Sequence, residues 1–121
     1  MKTSSEVFEA IEVVASCLYS LCEGGYEYVD CVPEAVNALI YLSQVLGTKL
    51  DLSSILSRSS KPITQMTEDE VSYMISALRM YVNEADIDRS KNVMEEIYSA
   101  LINATSLVME TSQMAVAIEA T

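Results

Sequence analysis

From Ile97 to Met109 the chain carries no charged side chain, and the surrounding stretch EEIYSALINATSLVMETSQMAVAIEA contains neither Gly nor Pro. Nothing in that stretch interrupts a helix, and its polar residues recur at helical spacing. Ser99, Asn103, Ser106, Glu110 and Gln113 follow at intervals of three and four, which gathers them into one polar stripe about 100° wide. The remaining girth is apolar or small. Met94, Ile97, Leu101, Ala104, Val108, Ala115 and Ile118 form a heptad-like seam, flanked by Tyr98, Ile102 and Met109 on one side and by Ala100, Leu107 and Met114 on the other. A helix from Asp88 to Ala120 extends about 50 Å at the standard rise. The other helices predicted below are too short to cover that length. Part of its surface is therefore expected to meet a second copy or another protein, and Leu101, Ala104, Val108, Met109, Ala115 and Ile118 are the candidate interface.

The rest of the chain is read from its punctuation. Three Gly and two Pro in 121 residues leave few turn-formers, so a few long helices are expected. Thr3 and Glu6 can form a capping box that opens a first helix ending at Glu23, before Gly24-Gly25. YEYVDCV is a connector, extended or irregular. Pro33 then occupies a first-turn position before a helix from Glu34 to about Leu46, closed by Gly47. Asp51 can cap a short segment, LSSILS, and Arg58 to Pro62 is the expected loop. Thr67 and Glu70 provide another capping box ahead of a helix to about Asn83, and Asp86 or Asp88 caps the last one. In the first helix Glu9, Glu12, Ser16, Ser20 and Glu23 share one side, with Val7, Ile11, Val14, Leu18, Leu21 and Cys22 on the other. In the segment before Asn83, Ser72, Ser76, Arg79 and Asn83 form a narrow polar strip. Val71, Met74, Ile75, Leu78, Tyr81 and Val82 are predicted to face inward there, with Tyr73, Ala77 and Met80 on the flanks. The expected architecture is a single all-α domain over residues 1–121: a helical bundle of four to five helices with a long C-terminal helix, which the shorter helices could surround.

Composition limits the chemistry. The 18 acids against 7 bases give a net charge of -11, and nothing in the chain clusters Lys and Arg as nucleic-acid or anionic membrane surfaces require. No direct nucleic-acid binding and no membrane association are expected. Glu6, Glu9 and Glu12 interrupt the N-terminal apolar stretch where an export signal would need continuity. With no export signal and no CxxC spacing, Cys17, Cys22 and Cys31 read as reduced thiols of a cytoplasmic protein, at least two of them packed as small core hydrophobes.

The absence of His removes the commonest general base and metal ligand, and with it any Ser-His or Cys-His pair. DIDRSKN, Asp86 to Asn92, echoes half a calcium loop. However, Lys91 stands where the tight-turn Gly is needed and Ile97 where the bidentate Glu closes the site, so helix capping is the better reading. Glu68-Asp69-Glu70 and Glu95-Glu96 are adjacent acids that diverge by about 100° on a helix and suit first turns, facing the positive end of the dipole. Tyr26 and Tyr28 are the candidate exposed aromatics, able to anchor a partner or to cover the end of the bundle. The seven Met read as core filler before they read as a binding groove.

No catalytic residue, cofactor or metal is expected, and the chain reads as no enzyme. The function these features predict is a small acidic interaction module of adaptor, assembly-factor or inhibitor type, which binds a protein partner and self-associates as a homo-oligomer. The alternative is an acidic nucleic-acid mimic that blocks a basic cleft of a DNA- or RNA-binding protein.

Overall fold

The structure, a computed structural model, describes residues 5–24, 30–51, 53, 55 and 62–120, with side chains in the last stretch described as far as Asn103. Within these residues the chain is all-α, with no strand. Four α-helices are present: α1, Ser5–Gly24; α2, Val32–Val45; α3, Glu68–Asn83; and α4, Ile87–Ala120. A 3-10 turn, Ile63–Gln65, precedes α3.

The helix boundaries follow local chemistry. α3 opens on the predicted capping box: the Thr67 side chain accepts from the Glu70 backbone N–H, and the Glu70 carboxylate accepts from the Thr67 N–H. Asp86 Oδ1 accepts from the Arg89 N–H at 3.2 Å, so Asp86 caps α4. α2 begins with Pro33 in its first turn, where a missing N–H leaves no intrahelical bond unmade. It stops at Gly47, whose φ of +72° lies in the left-handed region that terminates helices. The Thr3–Glu6 box, the connector around Tyr26 and Tyr28, most of LSSILS and the loop from Arg58 to Lys61 lie outside the described residues.

The apolar stripes meet in one core. Val7, Ile11, Val14, Leu18 and Leu21 of α1 pack with Leu39 and Leu42 of α2, Val71, Ile75, Leu78 and Val82 of α3, and Met94, Ile97 and Leu101 of α4, all essentially inaccessible to water. α1 packs on α2 and α3, and α4 packs on α3 and α2, so each helix has two neighbours and α1 faces α4 across the diagonal. The 3-10 turn contacts both diagonal partners, with Ile63 fully buried as a plug. α4 is therefore a corner of a four-helix bundle and is not surrounded by the other three helices. Up to Leu101 its buried apolar residues are covered by two neighbouring helices and the Ile63 turn together.

Polar contacts tie the same elements. The Tyr19 and Ser72 hydroxyls are hydrogen-bonded at 2.7 Å between α1 and α3, and Arg79 of α3 pairs with Glu12 of α1. The latter pair is about half exposed on both sides and contributes at most about 1 kcal/mol. Tyr41 of α2 donates to Glu6 Oε2 of α1 at 3.1 Å.

The cysteine reading is corrected. Cys17 and Cys31 are bonded as a disulfide, with Cα atoms 5.5 Å apart, joining the middle of α1 to the residue that opens α2. Cys22 is the free thiol. Cys17 is 2% exposed and packs in the core, but the bond takes reduced thiols out of the case for a cytoplasmic chain. An odd count with no motif leaves the pairing open in sequence. The fold closes it by bringing the start of α2 back alongside α1.

Candidate interaction surfaces

α4 supplies the first candidate surface. Its leading half is enclosed by the chain itself: Met94, Ile97, Ala100 and Leu101 have no measurable exposure. Leu101, expected at an interface, is a core residue, because the neighbouring helices extend far enough along α4 to cover it. The side chains of Ala104, Val108, Met109, Ala115 and Ile118 lie outside the described residues, as do Tyr26 and Tyr28. The backbone of α4 nevertheless continues as one helix to Ala120.

Two serines of α4 are buried, one of them against the helical-wheel assignment. Ser99, assigned to the outward stripe, is 1% exposed, and its Oγ finds no hydrogen-bond partner among the described residues. Ser90 is buried in the same condition. Small side chains let helices approach closely, so these positions serve packing although their hydroxyls are polar. Glu95, expected to complement the dipole at the start of its own helix, lies well past that start and is buried. Its Oε2 accepts from the Asp51 N–H at 2.7 Å, so the carboxylate secures the segment that follows α2. No local signal marks Glu95 for this task, since its partner is 44 residues away in sequence.

The second candidate surface surrounds Phe8, a residue the sequence reading passed over. Phe8 is 56% exposed on α1 and forms a wall shared by two open clefts, each of about 460 Å³. One cleft lies between α1 and the start of α2, with Glu9, Glu12 and Val13 on one side and Cys31 and Glu34 on the other. The other lies between α1 and α3, lined by Ile11, Ser76, Arg79, Met80 and Asn83. Met80, placed on a flank of α3, is 49% exposed, whereas Met74 and Met94 fill the core as expected. Tyr73 is the most exposed large apolar side chain of α3. Cys17 and Cys31 both line the first cleft, so the disulfide ties its α1 side to its α2 side.

Cys22 is half buried and donates to the Met66 carbonyl at 3.1 Å. Burial, reinforced by Glu23, Glu68 and Glu70, pushes its thiol above the ordinary value, so it is a poor nucleophile at neutral pH. Among the described residues no group of three or more Cys, Asp or Glu is arranged to hold a metal ion, and no helix is long and apolar enough to cross a membrane.

The fold and surfaces define a class, a four-helix all-α bundle with an extended final helix. The chain matches no protein-family model, no curated protein and no solved structure.

Proposed function

We propose that this chain is a small acidic protein-interaction module that works by occupying a protein partner and that self-associates through the part of α4 following Asn103. One observation carries this: α4 has 34 residues, against 20 for α1, 14 for α2 and 16 for α3. At the standard rise α4 is about 50 Å long and each of the helices packed on it less than about 25 Å, so neither neighbour covers both of its halves. Along its first half the seam Met94, Ile97, Leu101 is spent on the chain's own core. From Ala104 the sequence continues the seam through Val108, Ala115 and Ile118, and Glu110 and Glu119 are the only charged residues in that part. A helix whose apolar seam outruns the helices that cover it is completed by another copy.

The acids favour this reading over a nucleic-acid mimic. Glu12 is paired with Arg79, Glu70 closes the capping box, Glu95 holds Asp51 and Glu6 accepts from Tyr41. Carboxylates spent on contacts within the chain are withdrawn from the dense outward array that imitates a phosphate backbone.

Sedimentation equilibrium over a wide concentration range tests the proposal. The native chain is expected to be dimeric or larger, and Val108→Glu with Ile118→Glu to be monomeric with the bundle still folded by circular dichroism. A native chain that stays monomeric at the highest concentration reached rules out self-association through α4.

A further inference from the structure

We infer that the Phe8 face of α1 docks a basic amphipathic helix of a protein partner. This rests on the interaction-module reading and gives the partner a chemistry, but it uses a different face from the α4 seam. Failure of α4 to dimerise would leave it standing.

Shape comes first. Isolated exposed apolar side chains are ordinary on any surface. Here Phe8, at 56% exposure, is a ridge with a hollow on each side, and each hollow holds a further exposed apolar side chain, Val13 in one and Met80 in the other. A helix laid across such a ridge can place apolar side chains one turn apart into the two hollows, in the manner of helix-in-groove recognition.

Charge then selects the occupant. The α1–α2 cleft is lined by the carboxylates of Glu9 and Glu34, with Glu12 beside them already paired to Arg79, and among its described lining residues there is no Lys or Arg. The base of the α1–α3 cleft, Arg79, is already on Glu12. A second copy docked here about a two-fold axis would set the rim that carries Glu9 and Glu34 against the same acidic rim of its copy, an arrangement of like charges on a chain already at -11. A partner helix whose apolar stripe is flanked by Lys and Arg satisfies both the ridge and the rim.

Titration of the isotope-labelled full chain with synthetic peptides, followed by amide NMR shifts, tests this. The probe is an amphipathic helical peptide with a Leu stripe flanked by Lys and Arg. One control replaces every base by Glu, and a second keeps the bases but replaces the Leu stripe by Ser. The basic amphipathic peptide is expected to shift amides around Phe8, Val13, Glu34 and Met80, with affinity that falls as salt is added. Phe8→Ala is expected to weaken binding about tenfold or more. Glu9→Gln with Glu34→Gln is expected to flatten the salt dependence. Both variants alter exposed side chains, so the fold persists and the comparison stays readable. No shifts at this face, equal shifts with the acidic control, or equal shifts with the Ser control would each overturn the inference. The last outcome would reduce the face to a generic acidic surface.

Discussion

Helices α2 and α3 end in the same hydrogen-bond pattern with different residues at the position that turns the chain. After α2 the Thr48 N–H reaches the Ser43 carbonyl at 2.9 Å and the Gly47 N–H reaches Gln44 at 3.0 Å. After α3 the Asp86 N–H reaches Tyr81 at 2.9 Å and the Ala85 N–H reaches Val82 at 3.1 Å. Both are Schellman closures, and both require positive φ: +72° at Gly47 and +56° at Ala85. A Cβ in the left-handed region costs about 1–2 kcal/mol, which Gly47 avoids and Ala85 bears. Against this, glycine frees the unfolded chain by about 0.4–1 kcal/mol relative to alanine. Ala85→Gly should therefore stabilise by about 0.5–1 kcal/mol, the difference of those two effects. Gly47→Ala should destabilise by a similar amount, because an added Cβ there meets no atom within 4 Å and only the backbone preference acts. For a domain of this size the shifts correspond to about 2–4 °C in Tm, in opposite directions. Urea unfolding followed by far-UV circular dichroism at one fixed protein concentration measures both, with midpoints moving and slopes unchanged. If Ala85→Gly lowers the midpoint, or if the two variants move it the same way, the assignment of Ala85 to a strained helix stop is wrong.

Reduction of the Cys17–Cys31 bond, with 14 residues of sequence separation, is expected to cost about 3 kcal/mol by releasing loop-closure entropy to the unfolded chain. Thermal unfolding with and without a phosphine reductant checks it, and an unchanged Tm would mean the two cysteines are not joined. Ser99→Ala should raise stability by about 1 kcal/mol, since it removes a buried hydroxyl with no partner among the described residues and improves helix propensity. A loss on chemical denaturation would show that the hydroxyl is in fact bonded. Cys22 should react with iodoacetamide at mildly alkaline pH more slowly than a cysteine of the unfolded chain, because burial first, and then Glu23, Glu68 and Glu70, raise its pKa above the ordinary thiol value. The native state then holds that proton more tightly than the unfolded state. The associated stability is complete below the ordinary thiol range and is lost as pH rises through the raised native value. Equal alkylation rates in the native and unfolded chain would contradict the shift.

The parts of this protein legible in one dimension are those governed by neighbours within a turn or two. The Thr67–Glu70 box, the stop at Gly47, the Asp86 cap and the buried stripes of α1 and α3 depend on residues three or four apart, and each is where that spacing puts it, except that Cys22 and Tyr81 at the edges of the two stripes are only partly buried. Ala85 escaped notice because alanine carries no signal for left-handed backbone; only the two bonds that cross it require that conformation. The surface around Phe8 escaped because its exposure reflects how α2 and α3 flank α1, not any pattern within α1.

The amino-acid sequence alone determined that the chain is all-α, where most helices start and stop, and that the last helix is long, because period and capping are short-range properties of the backbone and adjacent side chains. Only the tertiary structure decided that α4 takes a corner of the bundle, that Ser99 and Glu95 face inward, that Leu101 belongs to the core and that Cys17 finds Cys31. Those outcomes depend on which surfaces are brought together from distant parts of the chain, and burial is a property of the pair of surfaces that meet, not of either one by itself.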